Sequence, residues 1–114
     1  MAEFWLLDMA IDFDKKAQKL RIRPTLKKQL DKAASSIGLN LAEGNAKYTQ
    51  REKRRYYQTA YGSAKECRAI FRMASLDGSE IDKLADRLAA GLYRLVKSEI
   101  KTLNNNRTRA DYER

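Results

Sequence analysis

Apolar residues recur at steps of three and four along four successive segments of this 114-residue chain, and this spacing limits its fold more than any other feature. The segments are roughly 18 to 26 residues long, and short polar stretches separate them. The single proline, Pro24, lies between the first two segments, where it prevents one continuous helix. Helices of this length on short connections pack side by side in alternating directions. The sequence therefore predicts an all-α fold, an antiparallel up-down four-helix bundle.

Each predicted helix begins or ends at a recognisable signal. The first runs from about Glu3 to Leu20 and stops before Pro24. Thr25 is expected to cap the second helix, which ends near Gly44. The third and fourth helices open on capping boxes, in which a hydroxyl residue precedes a carboxylate by three positions: Thr49 with Glu52, and Ser79 with Asp82.

The predicted core follows from the same spacing. On the first helix the broad apolar face includes Leu7, Ala10, Ile11 and Phe13. The stripes of the later helices are Leu26, Leu30, Ala33, Ile37, Leu41 and Gly44, then Tyr57, Ala60, Ala64, Cys67, Phe71 and Ala74, then Ile81, Leu84, Leu88, Leu92 and Leu95. The predicted bundle occupies residues 1–103. Residues 104–114 lack an apolar period and are expected to form a flexible C-terminal tail.

The net charge of +9 is unevenly distributed along the chain. Residues 1–14 contain four acidic residues and no basic one, whereas residues 15–72 contain sixteen basic and four acidic residues. Residues 73–114 are nearly balanced, with eight basic and seven acidic residues. A basic excess confined to the middle of a small protein indicates contact with a polyanion. The alternative is that the charge serves solubility alone.

One line of the third helix is basic. Its members recur at steps of three and four: Arg51, Arg54, Gln58, Tyr61, Lys65, Arg68 and Arg72, with Arg55 beside its start and Lys27 and Lys28 in a second basic cluster. Such a row can follow a nucleic-acid strand, and Tyr61 offers a ring on which a base can stack. Because like charges at this spacing oppose helix formation, we expect a compensating anion or acidic residues from another subunit beside the row. The alternative is a solvated face whose aliphatic stems cover the core.

A polar seam accompanies the core stripes of the second and third helices. Its residues are Ser36, Asn40, Glu43, Gly44, Ser63 and Glu66. We expect the two polar strips to meet each other or a second subunit, with Glu43 held by Ser63, Tyr56 or a basic residue, because a buried carboxylate requires partners. The alternative is that both strips face solvent.

The stretch "SSIGLNLAEG", followed by basic residues and then "YYQTAYGSAKEC", resembles the four-helix-bundle family encoded by the intervening sequence of bacterial 23S ribosomal RNA genes. Accessory proteins of diversity-generating retroelements are diverged relatives of that family. The matching positions are Ser36, Ile37, Asn40, Ala42, Glu43, Gly44, Ala60, Gly62, Ser63 and Glu66. Proteins of this kind assemble as homopentameric barrels of four-helix protomers, and the retroelement accessory members bind RNA and a reverse transcriptase. The resemblance implies both properties for this chain.

Catalysis is not indicated. The chain has no histidine, which removes the commonest general base and metal ligand. Cys67 lies on the predicted core stripe, where a small buried thiol is expected rather than a nucleophile. No glycine-rich phosphate loop is present. The sequence therefore predicts a protein that is not an enzyme and uses no cofactor, metal or small-molecule substrate.

The expected setting is the cytoplasm. A single cysteine excludes an intrachain disulfide framework, the apolar opening lacks the basic start of a signal peptide, and no apolar run is long enough to span a membrane. Two functions stay open at this point. One is a self-assembling protein that binds RNA through its basic helix faces; the other is a protein-protein adaptor, for instance on a reverse transcriptase, in which the charge serves that partner.

Overall fold

A computed structural model describes the backbone of residues 2–112 and the side chains of residues 5–98. The chain forms four helices: α1 (Ala2–Gln18), α2 (Pro24–Asn45), α3 (Gln50–Met73) and α4 (Glu80–Tyr112). Each helix packs against the next one along the chain, and α4 also packs against α1. Because the connections are only a few residues long, consecutive helices run antiparallel. The predicted up-down four-helix bundle is confirmed.

The core lies on the axis between the four helices. Phe13 of α1 and Phe71 of α3 meet there edge to face, with ring centroids 6.1 Å apart. Every member of the predicted α2 stripe is buried, as is the α3 stripe from Tyr57 to Phe71. On α1 the prediction is partly wrong, because Leu6 is buried and Ile11 is 43% exposed. The steps from Leu6 to Ala10, Phe13 and Ala17 define the inner face, and Ile11 lies one position away from it.

The helix starts follow two of the three predicted signals. The Thr49 side chain accepts the N–H of Glu52 at 3.2 Å, and the Ser79 hydroxyl accepts the N–H of Asp82 at 3.4 Å. The expected cap at Thr25 is wrong. Arg23 is the N-cap of α2, and Pro24 occupies the first helical position, where its fixed φ suits the helix and its missing N–H costs nothing.

Two lysines close the corners at which α1 and α2 end. Lys27 donates from Nζ to the carbonyl oxygens of the last two residues of α1, at 2.7 and 2.9 Å. Lys53 does the same for the last two residues of α2, at 3.2 and 3.3 Å. Each lysine lies four residues after the N-cap of its own helix. The ammonium groups thus add a donor to the carbonyls at each helix end, two of which also accept a backbone N–H, and they oppose the negative end of the helix dipole.

The fourth helix is the longest element, with 33 residues against 24 in α3, which makes it about 14 Å longer. Residues 104–112, which the sequence assigned to a tail, are therefore part of α4, and their flexibility stays a prediction. No helix in the described part of the chain is both long and apolar enough to cross a membrane.

Candidate nucleic-acid interface

The polar seam joins α2 to α3 through hydroxyl and amide groups. The hydroxyls of Ser36 and Ser63 lie 2.8 Å apart across the two helices. Asn40 donates from Nδ2 to both the carbonyl oxygen and the hydroxyl of Ser36, at 2.9 and 3.0 Å. All three side chains are half-buried. These polar residues therefore form a hydrogen-bonded contact between helices of the same chain.

The carboxylates of the seam are placed differently. Glu43 is exposed, and its described partner is Lys47, one turn later on the chain, at 3.6 Å. Among the described hydrogen bonds and ion pairs, none joins Glu43 to Ser63 or Tyr56, the neutral partners that the sequence suggested, whereas the suggested basic partner is present as Lys47. Glu66 is also exposed. A role of either carboxylate in contacts with a second subunit stays a prediction.

Gly44 permits the closest approach of α3 to α2. A Cβ at this position would lie 2.6 Å from Cε1 and 2.9 Å from Cδ1 of Tyr57. The Tyr57 ring is fully buried against this glycine, and its hydroxyl donates to Oδ1 of Asn45 at 2.7 Å. The glycine of the "NLAEG" stretch is therefore a packing requirement.

The basic line of α3 divides into two halves with different surroundings. In the first half, Arg51 and Arg55 are exposed and Arg54 is half-buried. No carboxylate of the described residues forms an ion pair with any of the three. This half therefore carries positive charge that is not paired with a carboxylate among the described residues, and its contact with a polyanion stays a prediction.

The second half of the line lies against α4. Arg68 donates from Nε to Asp82 at 3.1 Å and from Nη1 to Asp86 at 2.8 Å. The acids that compensate Arg68 thus come from the same chain, and the expectation of acids from another subunit is wrong at this position. The reason is that Asp82 and Asp86 are one turn apart at the start of α4, antiparallel to α3. Hydrogen bonding to Asp82 raises the pKa of Arg68 above its ordinary value.

The other predicted binding residues have separate environments. Lys65 and Arg72 are exposed beside a groove of about 480 Å³ that Asp77 and Asp82 also line. The ring of Tyr61 packs against that of Tyr93 on α4, with centroids 5.9 Å apart. Lys27 is engaged in the corner between α1 and α2 and also pairs with Asp31 at 3.2 Å, whereas Lys28 is exposed.

Sequence reasoning missed one aromatic residue of this region. Tyr48, in the connection between α2 and α3, is 98% exposed. It lies one residue before the N-cap of α3 and falls outside every apolar stripe, which is the sequence signal that could have identified it. Nearby, the ring of Tyr56 carries Lys47 Nζ at 5.2 Å and Arg55 Cζ at 5.9 Å from its centroid.

Apolar side chains are exposed on both sides of α1. Trp5 is 64% exposed and Leu39 is 67% exposed. A groove of about 470 Å³ between α1 and α2 includes Leu39 and Ile11, and a second of about 300 Å³ between α1 and α4 includes Trp5 and Leu95. The described residues therefore present apolar surface on both flanks of α1.

The single cysteine, Cys67, has low nucleophilic reactivity. Cys67 is fully buried, and burial raises the pKa of its thiol to about 12, with smaller contributions from Glu66 and Asp14. The thiol therefore stays protonated at neutral pH, and the nucleophilic thiolate does not form there.

One comparison with known proteins gave a match. The family model for the 23S rRNA-intervening sequence protein matches residues 7–105. Comparison with curated proteins and with solved structures gave no significant match. The matched range includes the polar seam, the whole of α3 and most of α4, and it confirms the resemblance to this family that "SSIGLNLAEG" and "YGSAKEC" suggested. The relation to retroelement accessory proteins stays a prediction. The chain belongs to the 23S rRNA-intervening sequence protein family.

Proposed function

We propose that this protein is a non-enzymatic, cytoplasmic RNA-binding protein that assembles as a homopentameric ring and contacts RNA through its basic helix faces. The observation that carries the proposal is the cationic start of α3, where Arg51, Arg54 and Arg55 have no carboxylate partner among the described residues. Positive charge left uncompensated on one face attracts phosphates and releases their counterions.

The two halves of the basic line differ in their partners, and we assign the proposed binding surface to the first half. Arg68 is occupied by two aspartates and Lys27 by a helix end, so their charge contributes to folding. Among the described residues, neither Arg51 nor Arg55 pairs with a carboxylate or donates to a helix end, although Arg55 lies 5.9 Å from the centroid of the Tyr56 ring. The two arginines are exposed and lie one turn apart on α3. Contacts of this kind fix a strand by its phosphates and do not read its sequence.

Charge reversal tests the RNA-binding surface. The double variant Arg51→Glu with Arg55→Glu is expected to weaken binding of a structured RNA about tenfold or more at 0.1 M salt, because two phosphate contacts become repulsive. Fluorescence anisotropy across a salt series gives both the affinity and its salt dependence. Wild-type affinity should fall steeply as salt rises, and the variant should show a shallower slope.

The matched control is Lys83→Glu with Arg87→Glu, which reverses the same number of exposed charges one turn apart on α4. It should lose much less affinity, because only the long-range field changes. An affinity that does not vary with salt, or an equal loss in both double variants, would refute the proposed surface.

Ring assembly is proposed from the exposed apolar surface on the two sides of α1, together with the pentamer that the family resemblance implies. Several copies of a modest basic face in one particle bind a long polyanion far more tightly than one copy does. Native mass spectrometry at micromolar concentration is expected to show a pentamer. Leu39→Glu should shift the distribution towards smaller species, since it places a charge in the groove between α1 and α2. A wild-type protein that is strictly monomeric would contradict this part of the proposal.

A second candidate function is an adaptor that docks on another protein, such as a reverse transcriptase, as the resemblance to retroelement accessory proteins implies. The exposed indole of Trp5 at the groove between α1 and α4 favours it, because tryptophan is enriched at the centres of protein interfaces. Absence of salt-sensitive RNA binding, combined with partner capture that Trp5→Ala abolishes, would select the adaptor.

A further inference from the structure

The side chain of Tyr48 does not pack against the described part of the bundle. Its residue is 98% exposed, the highest value among the exposed large hydrophobic residues, and it forms no hydrogen bond or ring contact with another described residue. The turn itself is maintained without it, because the backbone N–H of Lys47 donates to the carbonyl oxygen of Gly44 at 3.2 Å and Thr49 caps α3. A small polar residue would serve the same connection, so the ring is available for a ligand.

Cationic residues flank Tyr48 along the sequence. Lys47 precedes Tyr48 directly, Arg51 follows it in the first turn of α3, and Arg55 lies one turn further. Lys47 and Arg55 both lie near the Tyr56 ring. Because Lys47 also pairs with Glu43 at 3.6 Å, Arg51 and Arg55 supply the charge that has no carboxylate partner among the described residues. The corner therefore combines an exposed aromatic face with cationic groups.

We propose that the corner between α2 and α3 binds unpaired nucleotides of RNA, with a base stacked on the ring of Tyr48 and the adjoining phosphates held by Arg51 and Arg55. This inference rests on the proposed RNA-binding function and names its substrate class. A base can stack on a protein ring only when its own face is free, as in a loop, a bulge or a single strand. In a duplex both faces are covered by neighbouring base pairs, so duplex RNA gains only the phosphate contacts.

The binding is expected to tolerate many sequences. Every base offers a π face, and the corner presents an aromatic ring and cationic groups. The site should therefore distinguish RNA by its pairing state and not by its base sequence. Assembly into a pentamer would place a copy of the site on each subunit. One single-stranded segment would then contact the Tyr48 side chains of several subunits.

The experiment compares two RNA probes, a fluorescein-labelled 12-nucleotide oligouridylate and a labelled 12-base-pair duplex, with the assembled wild-type protein and with Tyr48→Ala. We expect Tyr48→Ala to weaken binding of the single strand about tenfold or more and to leave duplex affinity within about twofold. Tyr48→Phe keeps the stacking ring and should retain the wild-type affinity for the single strand.

Each other outcome has a defined reading. Wild-type affinity of Tyr48→Ala for the single strand, or an equal loss for both probes, overturns the stacking site while leaving the RNA-binding proposal intact. A change in subunit number on native mass spectrometry of Tyr48→Ala also overturns it, because the ring would then be a subunit contact. If the wild-type protein binds neither probe at low salt, the proposed function itself fails. Thermal unfolding of Tyr48→Ala should match wild type, since the ring contributes no packing.

Discussion

Replacing Asp82 with alanine is expected to lower the free energy of unfolding by about 2–4 kcal/mol, the largest effect of any single substitution that we describe. Asp82 is 3% exposed, and its carboxylate accepts two hydrogen bonds. One comes from Arg68 at 3.1 Å and the other from the backbone N–H of Gly78 at 2.8 Å, whose φ of +80° favours glycine. The carboxylate thus ties α3 to the turn before α4.

The size of this loss depends on the charge of Arg68, which remains after Asp82 is removed. Removing one partner of a buried ion pair costs about 3–5 kcal/mol, because the other charge loses its compensation. Here the side chain of Arg68 is 35% exposed and keeps Asp86, which reduces the loss. Thermal unfolding should show a fall in Tm of roughly 10–20 °C.

Asp86→Ala is the matched control. Asp86 binds the same arginine at 2.8 Å, but its side chain is 61% exposed, and exposed pairs contribute less than about 1 kcal/mol. If Asp82→Ala and Asp86→Ala unfold at the same temperature, the proposed difference between buried and exposed partners is wrong.

The Asp82 carboxylate also makes the free energy of unfolding depend on pH. Burial opposes ionisation of Asp82, but the hydrogen bonds from Arg68 and Gly78 and the charge of Arg68 outweigh it, so its pKa lies below the ordinary value. The stabilisation is therefore present above the pKa of about 4 for an unfolded aspartate and is lost as the pH falls through the lower folded pKa. Urea unfolding should show a smaller difference between wild type and Asp82→Asn at pH 3 than at pH 7.

Gly44→Ala is expected to destabilise the protein even though alanine is the better helix former. Alanine gains about 1 kcal/mol of helix propensity over glycine. The added methyl would overlap the buried ring of Tyr57 at 2.6 Å, and overpacking of this kind costs about 1–3 kcal/mol. The ring cannot easily move aside, because its hydroxyl is bonded to Asn45. The difference between the two contributions is a net loss of up to about 2 kcal/mol, which urea unfolding measures.

Gly62→Ala provides a control of opposite sign. Gly62 lies within α3 and is exposed, and a Cβ there would meet nothing within 4 Å. This substitution should stabilise the protein by about 0.5–1 kcal/mol through helix propensity alone. A stabilising Gly44→Ala would show that α2 and α3 can separate at no cost, and would contradict the close contact.

The fold could be predicted from sequence because the apolar spacing is local. On α2 the stripe from Leu26 to Gly44 has one register, and the structure buries all of it. On α1 apolar residues cover more than one face, so the spacing could not decide between Leu6 and Ile11. Contact with α2 and α4 makes that choice, and it is a tertiary effect.

The candidate site was predictable only in its charge. Arg51 and Arg68 look alike in the sequence, since both belong to one line of α3. The partners that distinguish them lie on another helix, because Asp82 is 14 residues from Arg68 and meets it only after the chain has turned. Tyr48 was missed for a different reason, since periodicity selects residues inside helices and this tyrosine lies between two of them.

Acylation of the lysines at the ends of α1 and α2 would remove hydrogen bonds as well as charge. Acylation converts an ammonium group into a neutral amide, so at Lys27 or Lys53 it would also remove the donors that satisfy helix carbonyls. Footprinting of the RNA surface with amine-reactive reagents therefore needs low stoichiometry, at which freely exposed amines such as Lys28 react first. At saturating reagent, the loss of these helix-end contacts would contribute to the protection pattern together with contact with RNA.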